Sequence, residues 1–189
     1  MATLHEVALK YRSIKQGILP DLVLRWSPRS MTGEPLSKAD LLPLFEAARW
    51  APSSYNNQPW RFHYALRGTP GFQKLFALLM EANQAWCKDA ACLMVAVSKT
   101  TFDFNGQPMV THSHDTGAAW HAMAIEGVRR NLLVHGMSGF DYDKAAQTLG
   151  LDSGFSVECM IAVGRPGEGI EQETVNDRKS VDEIAIEVS

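Results

Sequence analysis

The stretch Ala47-Ala48-Arg49-Trp50-Ala51-Pro52-Ser53-Ser54-Tyr55-Asn56-Asn57-Gln58-Pro59-Trp60-Arg61-Phe62 changes character twice, and both changes bear on the fold. Before it, Ser37 and Asp40 form an imperfect capping box, and Leu41, Leu44, Phe45 and Ala48 recur at helical spacing until Pro52 forbids continuation. After it, Phe62, Tyr64 and Leu66 alternate with polar residues, the pattern of a strand with one buried face. Between helix and strand lie two hydroxyls, two asparagines and a glutamine bracketed by prolines. Such a segment can present N–H groups and amides to a planar polar ligand, or be an ordinary turn of turn-forming residues.

Working outward, Leu4, Val7, Ala8, Tyr11 and Ile14 share one face of a helix expected to end near Gly17. Thr69 and Pro70 read as N-cap and first position of a helix that buries Phe72, Leu75, Phe76 and Leu79. The apolar run 92–97 suits a strand buried on both faces. Residues 99–111 read as a polar surface loop, short for a substrate lid. Asp115 is expected to cap a long helix whose Ala118, Ala119, Ala122, Met123 and Ile125 permit close packing, and which ends near Asn131. A short helix at 141–149, stopped by Gly150, a strand at 157–163 and a strand-like tail at 181–188 complete the chain. The order is α-α-β-α-β-α-α-β-tail, a mixed α+β class in one domain spanning 1–189.

The chain has 189 residues and a net charge of −3, with 46% hydrophobic and 21% charged residues. This offers no sequence-wide attraction to nucleic acid or anionic membrane. No apolar run approaches the ~20 residues of a membrane span, and no secretory leader is read at the N-terminus. Cys87, Cys92 and Cys159 are odd in number and lack a Cys-x-x-Cys spacing, so no disulfide framework or zinc knuckle is expected and a reducing, cytoplasmic setting fits. His112-Ser113-His114-Asp115 invites a metal reading, but 112 and 114 would face apart in an extended segment and Asp115 serves more simply as a cap, so no metal is assigned. Gly164-Arg165-Pro166-Gly167-Glu168-Gly169 opens no helix and reads as a turn, not a dinucleotide fingerprint.

In Arg25-Trp26-Ser27-Pro28-Arg29, Pro28 biases Ser27 away from helix, so Arg25, Ser27 and Arg29 point the same way. Two guanidiniums flanking a hydroxyl can grip a phosphate or the polar edge of a heterocycle, or simply be solvated. Set in order with the Pro35 turn, Ala47 to Ala51 and Pro52-Ser53-Ser54-x-Asn56-x-Gln58-Pro59-Trp60, this stretch resembles the N-terminal signature of the nitroreductase family. The resemblance continues more weakly through Asn83-Gln84-Ala85-Trp86, Asp115-Thr116-Gly117-Ala118-Ala119, His135 to Asp141, and Arg178-Lys179.

The resemblance implies a nitroreductase-like fold: a small mixed or antiparallel central sheet flanked by helices, paired as a homodimer, with the C-terminal tail extending onto the partner subunit. It also implies FMN at the dimer interface. Arg25, Trp26, Ser27 and Arg29 would then meet the FMN phosphate, ribityl chain or pyrimidine edge, with Arg178 and Lys179 at the phosphate. Pro52, Ser53, Ser54 and Asn56 would come from the other subunit. Asn83 would bond the pyrimidine carbonyl, and Ser138-Gly139 would approach flavin N5. No side chain is assigned as catalytic, because the chemistry belongs to the cofactor. The implied activity is NADH- or NADPH-driven, ping-pong reduction of a nitroaromatic, quinone or similar small-molecule acceptor. A specialised flavin reaction, such as enone reduction or dehalogenation, and a non-catalytic flavin-binding dimer are the alternatives. Three departures touch this picture: Ser138 where some members have glutamate, Trp86 where some have lysine, and Arg129-Arg130-Asn131 at an often apolar helix end.

Overall fold

The structure, a computed structural model, describes residues 2–14 and 17–188. Its centre is strand β2 (Cys92–Lys99), which is continuously apolar until Ser98. Both of its faces are covered. Leu93, Val95 and Val97 enter one core and Cys92, Met94 and Ala96 the other, all fully buried. Each such side chain contributes about 1.5–3 kcal/mol relative to exposure, so this run fixes a three-layer arrangement.

Strands β1 (Trp60–Leu66), β3 (Leu133–Met137) and β4 (Phe155–Gly164) join β2 in the order β1-β2-β4-β3, every pairing antiparallel. The sheet therefore has two edges, β1 and β3. Between Ala96 and Val97 the register against β4 slips, leaving Glu158 as a bulge residue between the paired Val157 and Cys159.

Helices α3 (Lys38–Arg49) and α6 (His112–Arg129) cover one face, packed on Met94, Ala96, Ile161 and Val163. The other face carries α1 (Leu4–Leu9), α2 (Pro20–Leu24), α4 (Pro70–Phe76), α5 (Glu81–Cys87) and α7 (Tyr142–Leu149). The caps read from sequence form. Ser37 and Asp40 complete both halves of their box and Thr69 accepts from the Phe72 N–H; Asp141, read as the first residue of its helix, is instead its N-cap and accepts from the Lys144 N–H. Gly150 closes α7 at φ 63°. Asn131 adopts φ 52°, and the Leu132 N–H reaches the Gly127 carbonyl while the Asn131 N–H reaches that of Val128. This is a Schellman ending built on asparagine instead of glycine. Gly127 is required for a different reason: a Cβ there would lie 2.5 Å from Val134, so the absent side chain lets α6 sit close on β3.

Several expectations are corrected. The first helix stops at Leu9, leaving Tyr11 and Ile14 exposed, because Arg12 pins the chain in another direction through bonds to the Val23, Arg25 and Asn176 carbonyls. The expected end of that helix falls partly on residues 15 and 16, outside the described residues. α2, α5 and β3 carry no expectation from the sequence. The long helix begins at His112 rather than at a cap on Asp115, so His112 and His114 lie in a helical turn and not in an extended segment, although two residues apart they still point to different sides. The tail is not wholly strand-like: α8 (Val181–Ile184) forms on a Ser180–Glu183 capping box before the chain extends. Among the described residues no helix is long and apolar enough to cross a membrane.

Candidate functional site

Polar chemistry collects at the two opposite edges of the sheet. At the β3 edge the chain leaves α2 at Arg25 in extended geometry and returns beside the C-terminal segment. A cavity of about 90 Å³ opens there, lined by Arg12, Arg25, Trp26, Ser27, Thr174, Asn176 and Arg178. The Arg25 guanidinium donates to Ser27 Oγ at 3.1 Å, and Arg178 donates to the carbonyls of Asn176 and Asp177. Burial and, beyond it, the charges of Arg178 and Arg12 push the Arg25 pKa down. Burial and then Arg178 do the same to Arg12. No carboxylate lines the cavity, so three guanidiniums repel one another across a small volume that an oxyanion would fill.

The sequence placed Arg25, Ser27 and Arg178 in one site, and the structure brings them together. Arg12 was missed; it carried no signal beyond charge. Trp26 also lines the cavity, although most of its indole is buried in the core and donates to the Leu4 carbonyl. Arg29 and Lys179 are exposed and do not line the cavity. The backbone N–H groups of Arg29 and Ser30 are instead held by the Glu173 carboxylate at 2.7–3.0 Å, a contact no sequence pattern announced.

Beside this cavity, β3 and α5 bring further polar groups together. His135 donates from Nδ1 to the Pro28 carbonyl at 2.8 Å and its ring lies 4.6 Å from that of Trp86. Burial lowers the His135 pKa, so the ring is held neutral. Trp86 donates to Asn83 Oδ1, and Asn83 Nδ2 donates to the Gly139 carbonyl at 2.9 Å. The same carbonyl accepts from the Met80 N–H. A Cβ at 139 would lie 2.6 Å from Asn83 Nδ2, so glycine is what admits the amide. Asn83 and Gly139 thus meet, and part of the amide is committed to the chain itself. Cys87, below this group, is held by burial at a pKa of about 12, as are Cys92 and Cys159, which makes all three thiols inert.

The loop 52–58 lies at the other edge, where α3 ends and β1 begins. Tyr55, Asn56 and Gln58 have φ of 51°, 52° and 49°, a conformation that costs a residue with a side chain about 1 kcal/mol or more. Part of it is braced within the chain: Ser53 Oγ accepts from the Gln58 N–H, Asp115 accepts from the Ser54 N–H, and Asn57 bonds both the Thr101 carbonyl and the Asp103 N–H. Tyr55 stands out at 81% exposure, its ring against those of Phe102 and Phe104 from the 99–111 segment. That segment is more than surface, since Met109 is fully buried beneath it. Within one chain, Pro52, Ser53, Ser54 and Asn56 do not reach the arginine cavity.

Four antiparallel strands clothed by helices on both faces, with a cationic cavity at one edge and a preset polar loop at the other, define an α+β protein suited to an anionic ligand. The nitroreductase family model matches residues 22–70. A solved structure described as an oxidoreductase containing FMN is 34% identical over 93% of this chain and 94% of its own, with a TM-score of 0.87. FMN complexes assigned as nitroreductases, from Desulfovibrio desulfuricans (23% identity, TM-score 0.75) and Exiguobacterium sibiricum (15%, 0.77), each cover 93% of this chain and 99% of their own and share its fold. No curated protein matched the sequence. The chain belongs to the nitroreductase family.

Proposed function

We propose that the protein is an FMN-dependent oxidoreductase that uses NADH or NADPH to reduce nitroaromatic, quinone or similarly activated small molecules, working as a homodimer. The observation that carries this reading is the cavity where Arg12, Arg25, Ser27 and Arg178 converge without a carboxylate in the lining. A phosphate with nearly two negative charges relieves the repulsion among those guanidiniums and accepts the donors they aim into one volume. Family membership and the FMN named for the 34% identical relative select FMN among phosphorylated ligands. When bound, FMN supplies the redox chemistry, taking a hydride from the nicotinamide and passing two electrons to the acceptor in ping-pong order.

The chain's own residues bind and orient. Arg12, Arg25, Ser27 and Arg178 hold the phosphate, with Arg29 and Lys179 as nearby cations that add attraction without direct lining. Asn83 fixes Gly139 and, with it, the approach of the 138–139 backbone to the ring. Pro52, Ser53, Ser54 and Asn56 form the opposing wall. Because they lie at the far edge of the sheet, a second copy must supply that wall. The exposed Tyr11, Ile14 and Leu22, and the exposed alternation Ile184, Ile186 and Val188 in the tail, support an extensive contact with that copy.

Purification followed by a visible spectrum tests the cofactor: a flavin spectrum, or uptake of added FMN, is expected, and a protein that stays colourless with FMN overturns the reading. Anaerobic NADH or NADPH should then bleach the flavin. A flavin that only dithionite reduces would overturn the nicotinamide half.

A further inference from the structure

The buried polar side chains among the described residues are Ser98, Asp115 and Thr116, and all three lie where β2 ends and α6 begins. Asp115 is the charged one, at 4% exposure. A carboxylate out of water is costly unless its oxygens are well bonded, and a neutral cap would serve a helix start as well. Its bonds point to another task. One oxygen accepts from the Ser54 N–H at 2.9 Å and from Thr111 Oγ1 at 3.2 Å, and the other from His114 Nδ1 at 3.0 Å. Burial works against the charge, yet the bonds from His114, Ser54 and Thr111 bring the pKa below the ordinary carboxylate value. The carboxylate is therefore kept ionised, in the first turn of a long helix whose dipole favours it.

The first turn of α6 is itself fastened to the sheet. The bulge in β4 turns Glu158 toward it, where its carboxylate accepts from Ser98 Oγ and from Ser113 Oγ at 2.6 Å. His112 Nδ1 lies 2.7 Å from the same Ser98 hydroxyl. A continuous set of bonds thus runs from the centre of the sheet, through the start of α6, to one backbone N–H in the loop 52–58. Beyond that N–H come the three left-handed residues, Tyr55, Asn56 and Gln58.

We propose that Asp115 is a positioning residue: its carboxylate fixes the Ser54 N–H and so holds Tyr55, Asn56 and Gln58 in left-handed backbone, setting the shape of the wall offered to the flavin of a partner copy. Glu158 serves the same end one step earlier, by fixing the helix turn that carries Asp115. This inference rests on the functional reading above for the flavin, but not for the loop.

Amide hydrogen exchange separates the two. In Asp115→Ala, exchange at residues 53–58 should rise at least about ten-fold, the fold-change for losing one charge-assisted bond, while β2 and β4 amides stay unchanged. Asp115→Asn keeps an oxygen for the Ser54 N–H and should recover most of that protection, leaving a rise of a few-fold. With FMN bound, Asp115→Ala should weaken flavin affinity about ten-fold and Asp115→Asn less. Unchanged exchange at 53–58 in either soluble variant overturns the proposal, and so does looser exchange with unaltered FMN affinity and turnover. If the wild-type chain takes up no FMN, the functional reading fails and the exchange measurement still decides whether Asp115 holds the loop.

Discussion

At the β3 edge, three guanidiniums surround a cavity that offers them no carboxylate. At the β1 edge, the loop 52–58 is braced by bonds through the Ser54 N–H, Ser53 Oγ and the Asn57 amide. The first region carries charge unmatched by any carboxylate in its lining, so although Arg12 bonds nearby carbonyls, the cluster gains when an anion arrives. The second is strained in its backbone but braced by several hydrogen bonds, so its shape exists before any ligand does. Under the proposed pairing of two copies, the difference teaches how one binding site would divide its work: affinity where the protein is frustrated, and geometry where it is braced.

The largest expected break in this contrast is the joint substitution Arg25→Ala and Arg178→Ala. Losing two charge-assisted contacts of about 1.5–3 kcal/mol each should lower FMN affinity roughly a hundred-fold or more, read by flavin fluorescence titration. The melting temperature of the FMN-free protein should hold or rise, since repulsion is relieved. A fall of several degrees would mean the arginines are structural after all.

Asn57→Ala should behave in the opposite sense. It leaves the Asp103 N–H and the Thr101 carbonyl without their partner, a loss of about 1–2 kcal/mol of stability measurable by chemical denaturation, with a smaller change in FMN affinity. A variant as stable as the parent would show that the 99–111 segment does not brace the loop.

The smallest effect concerns salt. Raising sodium chloride from low to moderate concentration should lift the melting temperature of the FMN-free protein by about 1–2 °C through screening among Arg12, Arg25 and Arg178. The double arginine variant should show a flatter response. Equal slopes would indicate that the repulsion is already relieved in solution.

How much of this was legible in the sequence depended on whether the signal was local. The caps at Ser37 and Thr69 and the helix end at Asn131 are written in a few adjacent residues, and all form as read. The run 92–97 declared itself buried on both faces. By contrast, β3 is short and carries His135 and Gly136 in its middle, so its apolar pattern is broken, and only its pairing with β4 makes it a strand. Asp115 looked like an N-cap because an acid near a helix start usually is one; its partner, Ser54, is far away in sequence. Arg12 and Glu173 were invisible for the same reason. Trp26 was read with the arginines beside it, and it lines the cavity with them while the rest of its indole fills the core.

The bulge at Glu158 has a consequence for insertions and deletions. Phe155 and Val157 on its N-terminal side face the same core as Met160 and Ala162 on its other side, so the extra residue resets the alternation of the strand. Removing Glu158 alone would leave Val157 next to Cys159, which already face opposite cores. The strand would become regular with no side chain turned inside out. A one-codon deletion here would therefore spare the fold while releasing the start of α6, a route by which descendants of this chain could loosen their active-site wall without first losing their sheet.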